Sequence, residues 1–317
     1  MNKKIYLLLL FFSSIYVAHA QFDAQNSQYM NNAGAYNPAA VGSGGMIETI
    51  LQHRIQWVGM PNAGQTTNFS IGSPIKIADK NNGIGISFLT DEFARIKIQS
   101  LAIQYAHKLN LGDGILSIGG NLGFINIALN TDTLKIPNLG DAHESNDPAI
   151  PTGNNSNGNS LDLGIGAWYS TNNWYSGISI QRLNQPVVEF SDNHSFKARP
   201  TLFLTGGYNI QSELYPQIEY KPSAFFRSDF ASWQMEAGLV AEFSKKYRAG
   251  LAYRFQDAII VLAGMNVAPG LYIGYAFDSP STSALNSSKG SHSFILNYSF
   301  EYVFSKTNSK YKSIRIL

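Results

Sequence analysis

His53, His107, His194 and His292 carry the side chains most able to exchange protons near neutral pH. A hydrolytic triad would need one of them hydrogen-bonded to both a nucleophile and a carboxylate. No nucleophile elbow and no zinc-binding helix motif accompanies any of them. Each sits in an alternating segment or a loop, so catalysis is not expected. Residues 129–158 hold Asp132, Asp141, His143, Glu144 and Asp147. Their oxygens suit a hard cation such as calcium, but the spacing matches no ligand loop, and the stretch reads as a solvated loop. The chain contains no cysteine, which removes thiolate metal sites and disulfides. No cofactor is implied. The formal net charge is +2 and no basic run occurs, so nucleic acid is not an expected partner.

The remaining charges that could act together are Arg248, Arg254, Glu236, Asp278 and Glu301, with Gln234 beside them. Each falls on the polar face of an alternating run. Tyr247, Ala249, Leu251, Tyr253 and Phe255 share one face of such a run, and Arg248, Gly250, Ala252, Arg254 and Gln256 share the other. Leu271, Ile273, Tyr275 and Phe277 alternate in the same way, as do Phe294, Leu296, Tyr298, Phe300, Tyr302 and Phe304. Period two means strands. A tilted strand of about 9–11 residues crosses a bilayer, and long antiparallel strands with terminal aromatics mark an outer-membrane β-barrel. Inside such a barrel, Arg254 with Glu236 or Asp278 would brace the lumen or line a pore, and bracing is the favoured reading.

Composition agrees. Charged residues make up 14% of 317, against 17 tyrosines, 19 phenylalanines and 28 glycines. A soluble domain carries about 25% charge. Residues 1–20 read as a secretory signal peptide: Lys3 and Lys4, an apolar Ile5-to-Val17 core, then Ala18-His19-Ala20. Residues 21–45 lack a sustained period and are either an N-terminal arm or a plug within the lumen, with the arm slightly favoured. The barrel is assigned to 46–304 and a basic periplasmic tail to 305–317, where Lys306, Lys310, Lys312 and Arg315 cluster.

The fold class is therefore all-β, a transmembrane barrel of about fourteen antiparallel strands. They span 46–57, 64–73, 82–91, 94–108, 113–128, 159–170, 173–182, 199–211, 214–221, 229–243, 245–256, 257–267, 270–278 and 290–304. A phase change near Ser100 predicts a β-bulge. Pro216 interrupts the ninth run and Pro222 closes it. With both barrel ends in the periplasm, odd-numbered connections face outward and should be long. The longest, 129–158, 183–198 and 279–289, are all odd and would present a surface docking site. A soluble sandwich or propeller also alternates, but with strands of about 5–6 residues and more Lys and Glu outside.

Several segments carry a resemblance. Tyr36-Asn37-Pro38-Ala39, Arg54-Ile55-Gln56-Trp57-Val58-Gly59 and Gly64-Gln65-Thr66-Thr67 resemble the opening of the PorP/SprF family. Gly177 to Pro186, reading GISIQRLNQP, is similar to its middle. Lys221-Pro222-Ser223, Gly250-Leu251-Ala252-Tyr253-Arg254, Gly274-Tyr275-Ala276-Phe277-Asp278 and Gly290-Ser291-His292-Ser293 are similar to its C-terminal half. The resemblance implies a non-enzymatic bacterial outer-membrane protein of the type IX secretion system. Its partners would be outer-membrane lipid, the secretion machinery and a cargo adhesin with a C-terminal sorting domain, with a link to gliding motility. A passive diffusion channel is the alternative. The motif residues expected to serve structure or partner contact are Asn37, Pro38, Ala39, Arg54, Gln56, Trp57, Gly59, Pro186, Pro222, Tyr253, Arg254, Tyr275, Asp278 and Gly290.

Overall fold

The computed structural model describes residues 24–77, 80–129, 156–190, 195–282 and 288–301. The segments read as a signal peptide and a basic tail, and the acidic residues of 129–158, lie outside them. The strands are β1 (Ile47–Ile55), β2 (Gln65–Ile77), β3 (Lys80–Phe93), β4 (Ile96–Leu111), β5 (Gly114–Leu129), β6 (Ser156–Ser170), β7 (Trp174–Gln181), β8 (Val187–Glu189), β9 (Ser195–Lys197), β10 (Thr201–Tyr208), β11 (Ile210–Gln211), β12 (Ile218–Ser228), β13 (Trp233–Phe243), β14 (Tyr247–Arg254), β15 (Ala258–Ala268), β16 (Leu271–Pro280) and β17 (Ser291–Phe300). β8 and β9 form a separate hairpin. With β11 continuing β10, the others make a closed 14-strand antiparallel wall, sealed by β1 pairing β17.

Alternation decides which way each residue points. On β14, Leu251 is 62% exposed on the outside while Arg254 is 2% exposed within. Phe124, Ile103, Ile165, Ile259 and Phe294 are likewise exposed around the outer wall. A continuous apolar girdle of this kind is stable against acyl chains, not water. Aromatic pairs sit toward its rims. Trp233 stacks on Phe255 at 5.6 Å near one end, and Tyr169 lies 5.1 Å from Trp174 near the other. Most of the tight connections share one mouth, although the β3–β4 and β14–β15 turns are tight at the other. Ser244 and Lys245 have φ of 51° and 55°, the left-handed pair of a type I′ hairpin turn. At the same mouth, Gly270, with φ 75°, turns β15 into β16. The longest connections share the opposite mouth, the arrangement of a barrel with periplasmic turns and exterior loops.

Four features differ from the sequence expectations. Pairing of β3, β4 and β5 runs without a register shift through Ser100, so there is no bulge there. Ile98 faces inward because Val188, on the hairpin between β7 and β10, packs on Ile98, Ile125 and Ile127 inside the mouth. The connection expected to project as a docking loop thus folds into the barrel over that stretch. A register shift occurs instead between Asn266 and Ala268, beside the turn at Gly270. The ninth wall strand is β12, which passes through Pro222 instead of ending there, and residues 229–232 are the turn before β13. Pairing with β10 stops at Gly207–Ser223 and resumes with β11 at Ile210–Tyr220. Pro222, having no N–H, lies opposite that gap.

Residues 24–46 run lengthwise through the lumen as a plug and not as the favoured arm, held by inward-facing wall side chains. They form three short 3-10 turns, Tyr29–Asn31, Ala33–Ala35 and Pro38–Ala40. Around them the wall's inner face turns apolar. Tyr29 stacks on Phe225 at 4.9 Å, and Tyr36 meets the same ring edge-on at 4.9 Å. Small residues admit the backbone: a Cβ on Gly119 would lie 2.6 Å from Ala39 Cα. Among the described residues two of the spaces left inside are about 100 Å³ beside Gln25, Gln52 and Asn68, and about 200 Å³ beside Asn31, Lys221 and Arg248.

Candidate functional site

Among the described residues, the densest concentration of buried charge lies at the long-loop mouth, on the inner faces of β1, β13, β14 and β16, beside Ser293 of β17. Register brings it together: Glu236 pairs directly with Arg254, and Arg54 with Ser293. Arg254 donates from Nε to Glu236 Oε2 at 2.8 Å and from Nη1 to Asp278 Oδ2 at 2.8 Å. Arg54 Nη2 approaches the same Asp278 oxygen at 2.8 Å. Asp257, three residues beyond Arg254, adds a contact at 3.3 Å. Arg54, Glu236, Arg254 and Asp278 are each at most 5% exposed.

The N-terminal segment completes this network. The Ser27 hydroxyl donates to Asp278 Oδ2 at 2.7 Å and accepts from Arg54 Nη1 at 2.6 Å and Arg254 Nη2 at 2.8 Å. Gln25 Oε1 accepts from Arg254 at 3.2 Å, Gln56 at 3.3 Å and Arg54 at 3.4 Å. Arg227 Nη1 donates to the Ala24 carbonyl at 2.8 Å. Two guanidiniums held by carboxylates neither exchange protons at physiological pH nor attack a substrate. The arrangement fixes one strip of chain to β1, β12, β14 and β16. Burying such charges is costly unless geometry and hydrogen bonding are complete, and removing one partner strands the rest.

Further down, the hold passes from charges to amides. Asn32 Nδ2 donates to Gln52 at 3.0 Å and Asn68 at 2.9 Å. Gln104 donates to the Gly34 carbonyl at 2.8 Å, and Ser179 to the Tyr36 carbonyl at 2.7 Å. Asn37 caps the third turn through Ala39 N, and its Nδ2 donates to Ala167 O and Ile178 O. Pro38 and Ala39 are buried beside β5. At the short-turn mouth, Lys108 donates to the Gly42 carbonyl. There too Arg248 lies over the Tyr272 ring at 4.5 Å and pairs with Glu242.

The motif residues therefore divide. Arg54, Arg254 and Asp278 come together, with Gln56 at their edge. Asn37, Pro38 and Ala39 wedge the segment against β5 to β7. Trp57 (φ 51°), Gly59 (φ 93°) and Gly290 (φ 96°) shape the rim. There Val58 N donates to Gly290 O and Lys289 N to Val58 O, both at 2.8 Å, extending the β1–β17 seam. Trp57 packs edge-on to Phe93 at 5.6 Å. Pro186 O accepts from Ala198 N at the base of the inner hairpin. Tyr253 and Tyr275 lie on the lipid face, where Tyr275 OH is 2.6 Å from His292 Nδ1.

His53 pairs with Thr67 and His107 with Asn82, so the described histidines do not converge, and His194 lies outside the described residues. No metal-holding group of three or more histidines or carboxylates occurs among the described residues. Gln25, Ser27, Arg227 and Asp257 escaped the sequence reading. The first two sit in a stretch without periodicity, whose Asn, Gln and Ser content was the one available signal.

Similar architecture occurs among solved structures at low identity. The outer membrane protein Omp33 of Acinetobacter baumannii superposes with TM-score 0.45 and 8% identity, over 81% of this chain and 99% of that one. The CymD monoaromatic hydrocarbon channel gives 0.47 and 13%, over 90% and 95%. The Ralstonia pickettii toluene transporter TbuX gives 0.42 and 10%, over 90% and 96%. No curated protein sequence matches the chain. A family model described as type IX secretion system membrane protein PorP/SprF matches residues 18–298. With that match spanning nearly its whole length and a closed barrel to house it, the chain belongs to the PorP/SprF family of type IX secretion system proteins of the bacterial outer membrane.

Proposed function

We propose that this barrel is a non-enzymatic scaffold of the secretion system, holding a cargo adhesin with a C-terminal sorting domain at the cell surface. The observation that carries this reading is the filled lumen. Residues 24–46 occupy it from mouth to mouth, fixed by the Arg54, Arg254, Glu236 and Asp278 network and by the Tyr29, Tyr36 and Phe225 cluster. A passage for solutes needs a continuous water-filled column, whereas a scaffold needs a rigid rim. The mouths, carrying loops and the inner hairpin on one side and short turns on the other, supply surfaces for cargo and for periplasmic machinery.

Deleting the gene should abolish surface display of one sorting-domain adhesin, and any gliding that adhesin supports, while other outer-membrane proteins assemble normally. Normal display in the deletion strain would overturn the reading. The purified barrel in planar bilayers should stay silent; steady large openings would favour a diffusion channel.

A further inference from the structure

The N-terminal segment does more than fill space, because its direction through the barrel is defined. Its last residues lie at the short-turn mouth. A Cβ on Gly44 would meet Glu48, at the start of β1, and Gly42 lies against Ser73 and Lys108. Pro38 and Ala39 lie against Gly119, about one third of the way up β5. Tyr29 reaches Ser223 at the middle of β12. Ser27 and Gln25 reach Asp278, Arg254 and Asp257, at the far ends of β14 and β16. Ala24 is held by Arg227, one residue from the end of β12. Reach is not limiting, since twenty-two steps of about 3.3 Å extend to roughly 70 Å, against a hydrocarbon core of about 30 Å.

Both ends of the barrel wall, Ile47 and Phe300, are at the short-turn mouth. That mouth faces the periplasm in a barrel of this kind. We infer that the segment runs from the periplasmic mouth to the opposite one, so that the chain reaches the cell-exterior mouth at Ala24. A segment docked from the periplasm would place Ala24 beside Lys246 and Gly270 instead. The inference does not depend on the adhesin-retention reading, because it concerns only which mouth the chain leaves by.

The chain has no cysteine, so one introduced thiol is a unique handle. A short Gly/Ser insert bearing one cysteine is placed directly before Ala24. Pro61→Cys, in the β1–β2 loop, and Asp113→Cys, in the β4–β5 turn, mark the two mouths. Intact cells are treated with a membrane-impermeant maleimide. The insert and Pro61→Cys should label to a similar extent, with Asp113→Cys labelling only after the outer membrane is permeabilised. An insert that labels only after permeabilisation while Pro61→Cys labels on intact cells overturns the inference. Labelling of Asp113→Cys, but not Pro61→Cys, on intact cells overturns it too, by inverting the barrel. Should the insert prevent folding, judged by loss of the heat-modifiable gel shift, Ala24→Cys replaces it. Spin-label distances in the purified barrel are then measured from Ala24→Cys to Pro61→Cys and to Asp113→Cys. The shorter distance should be to Pro61→Cys, and a shorter distance to Asp113→Cys overturns the inference.

Discussion

Arg254 Nη1 and Asp278 Oδ2 are 2.8 Å apart inside the barrel, and Arg54 Nη2 reaches the same oxygen at 2.8 Å. One carboxylate oxygen thereby joins β1, β14 and β16. Arg254→Met or Asp278→Asn should each destabilise the folded barrel by about 3–5 kcal/mol, the cost of stranding a buried charge. The double variant should fall short of the sum by about 0.5–3 kcal/mol, because the two act on one network. Heat-modifiability on semi-native gels across a denaturant series measures this. Additive losses would mean that the two side chains act independently.

Tyr29 is fully buried, stacked on Phe225 and within 2.9 Å of the Ser223 hydroxyl. Tyr29→Ala should cost about 3–5 kcal/mol, as for other large aromatic truncations. Tyr29→Phe should lose only the hydrogen bond, about 0.5–1.5 kcal/mol. Bilayer recordings give a second readout: the alanine variant should flicker open where the phenylalanine variant stays silent. Equal behaviour of the two would mean that the ring does not hold the segment.

Gly119 and Gly120 are neighbours on opposite faces of β5. A Cβ on Gly119 would press on Ala39 Cα at 2.6 Å and Ala39 N at 2.7 Å, whereas one on Gly120 would meet Gly164 O at 3.5 Å. Gly119→Ala should destabilise by about 1–3 kcal/mol, as overpacking does. Gly120→Ala should be close to neutral. The same gel assay ranks them, and the reverse order would place the segment elsewhere.

Asp229 folds the β12–β13 turn around Phe230, which has φ 65°. Its Oδ1 accepts from Ala231 N at 3.1 Å, Ser232 N at 2.6 Å and Ser232 Oγ at 2.9 Å. Burial pushes the carboxyl up, but these donors and the charge of Arg199 outweigh it and hold it below the usual carboxylate range. A depressed folded value stabilises the turn fully above the ordinary aspartate value of about 3.9 and loses that contribution as pH falls through the lower value. Hydrogen exchange at Ala231 and Ser232 should therefore quicken in that acid window after correction for intrinsic rates, and Asp229→Asn should flatten the profile. Parallel profiles for the two proteins would exclude Asp229 as the cause.

The wall was legible because a strand writes itself as alternation and a turn as Gly, Pro, Asn or Ser. Leu251 against Arg254, and the Ser244–Lys245 turn, need no partner information to be placed. Ile98 broke the alternation, and a bulge was the local explanation for an apolar residue on a polar face. The actual cause is Val188, about ninety positions away, which makes the inner face apolar at that height. Pro222 misled for a similar reason: its missing N–H costs one ladder position, and pairing with β13 carries β12 through. The bracing of Arg254 by Glu236 and Asp278 followed from strand faces alone. The part played by Ser27 and Gln25 did not, since side-chain hydrogen bonds from an irregular segment leave no period to detect.

Tyr29, Tyr36 and Asn37 are buried within the cylinder and precede every wall strand in order of synthesis. The first and last wall strands meet at the β1–β17 seam, so a strip already in place when that joint shuts would be enclosed by it.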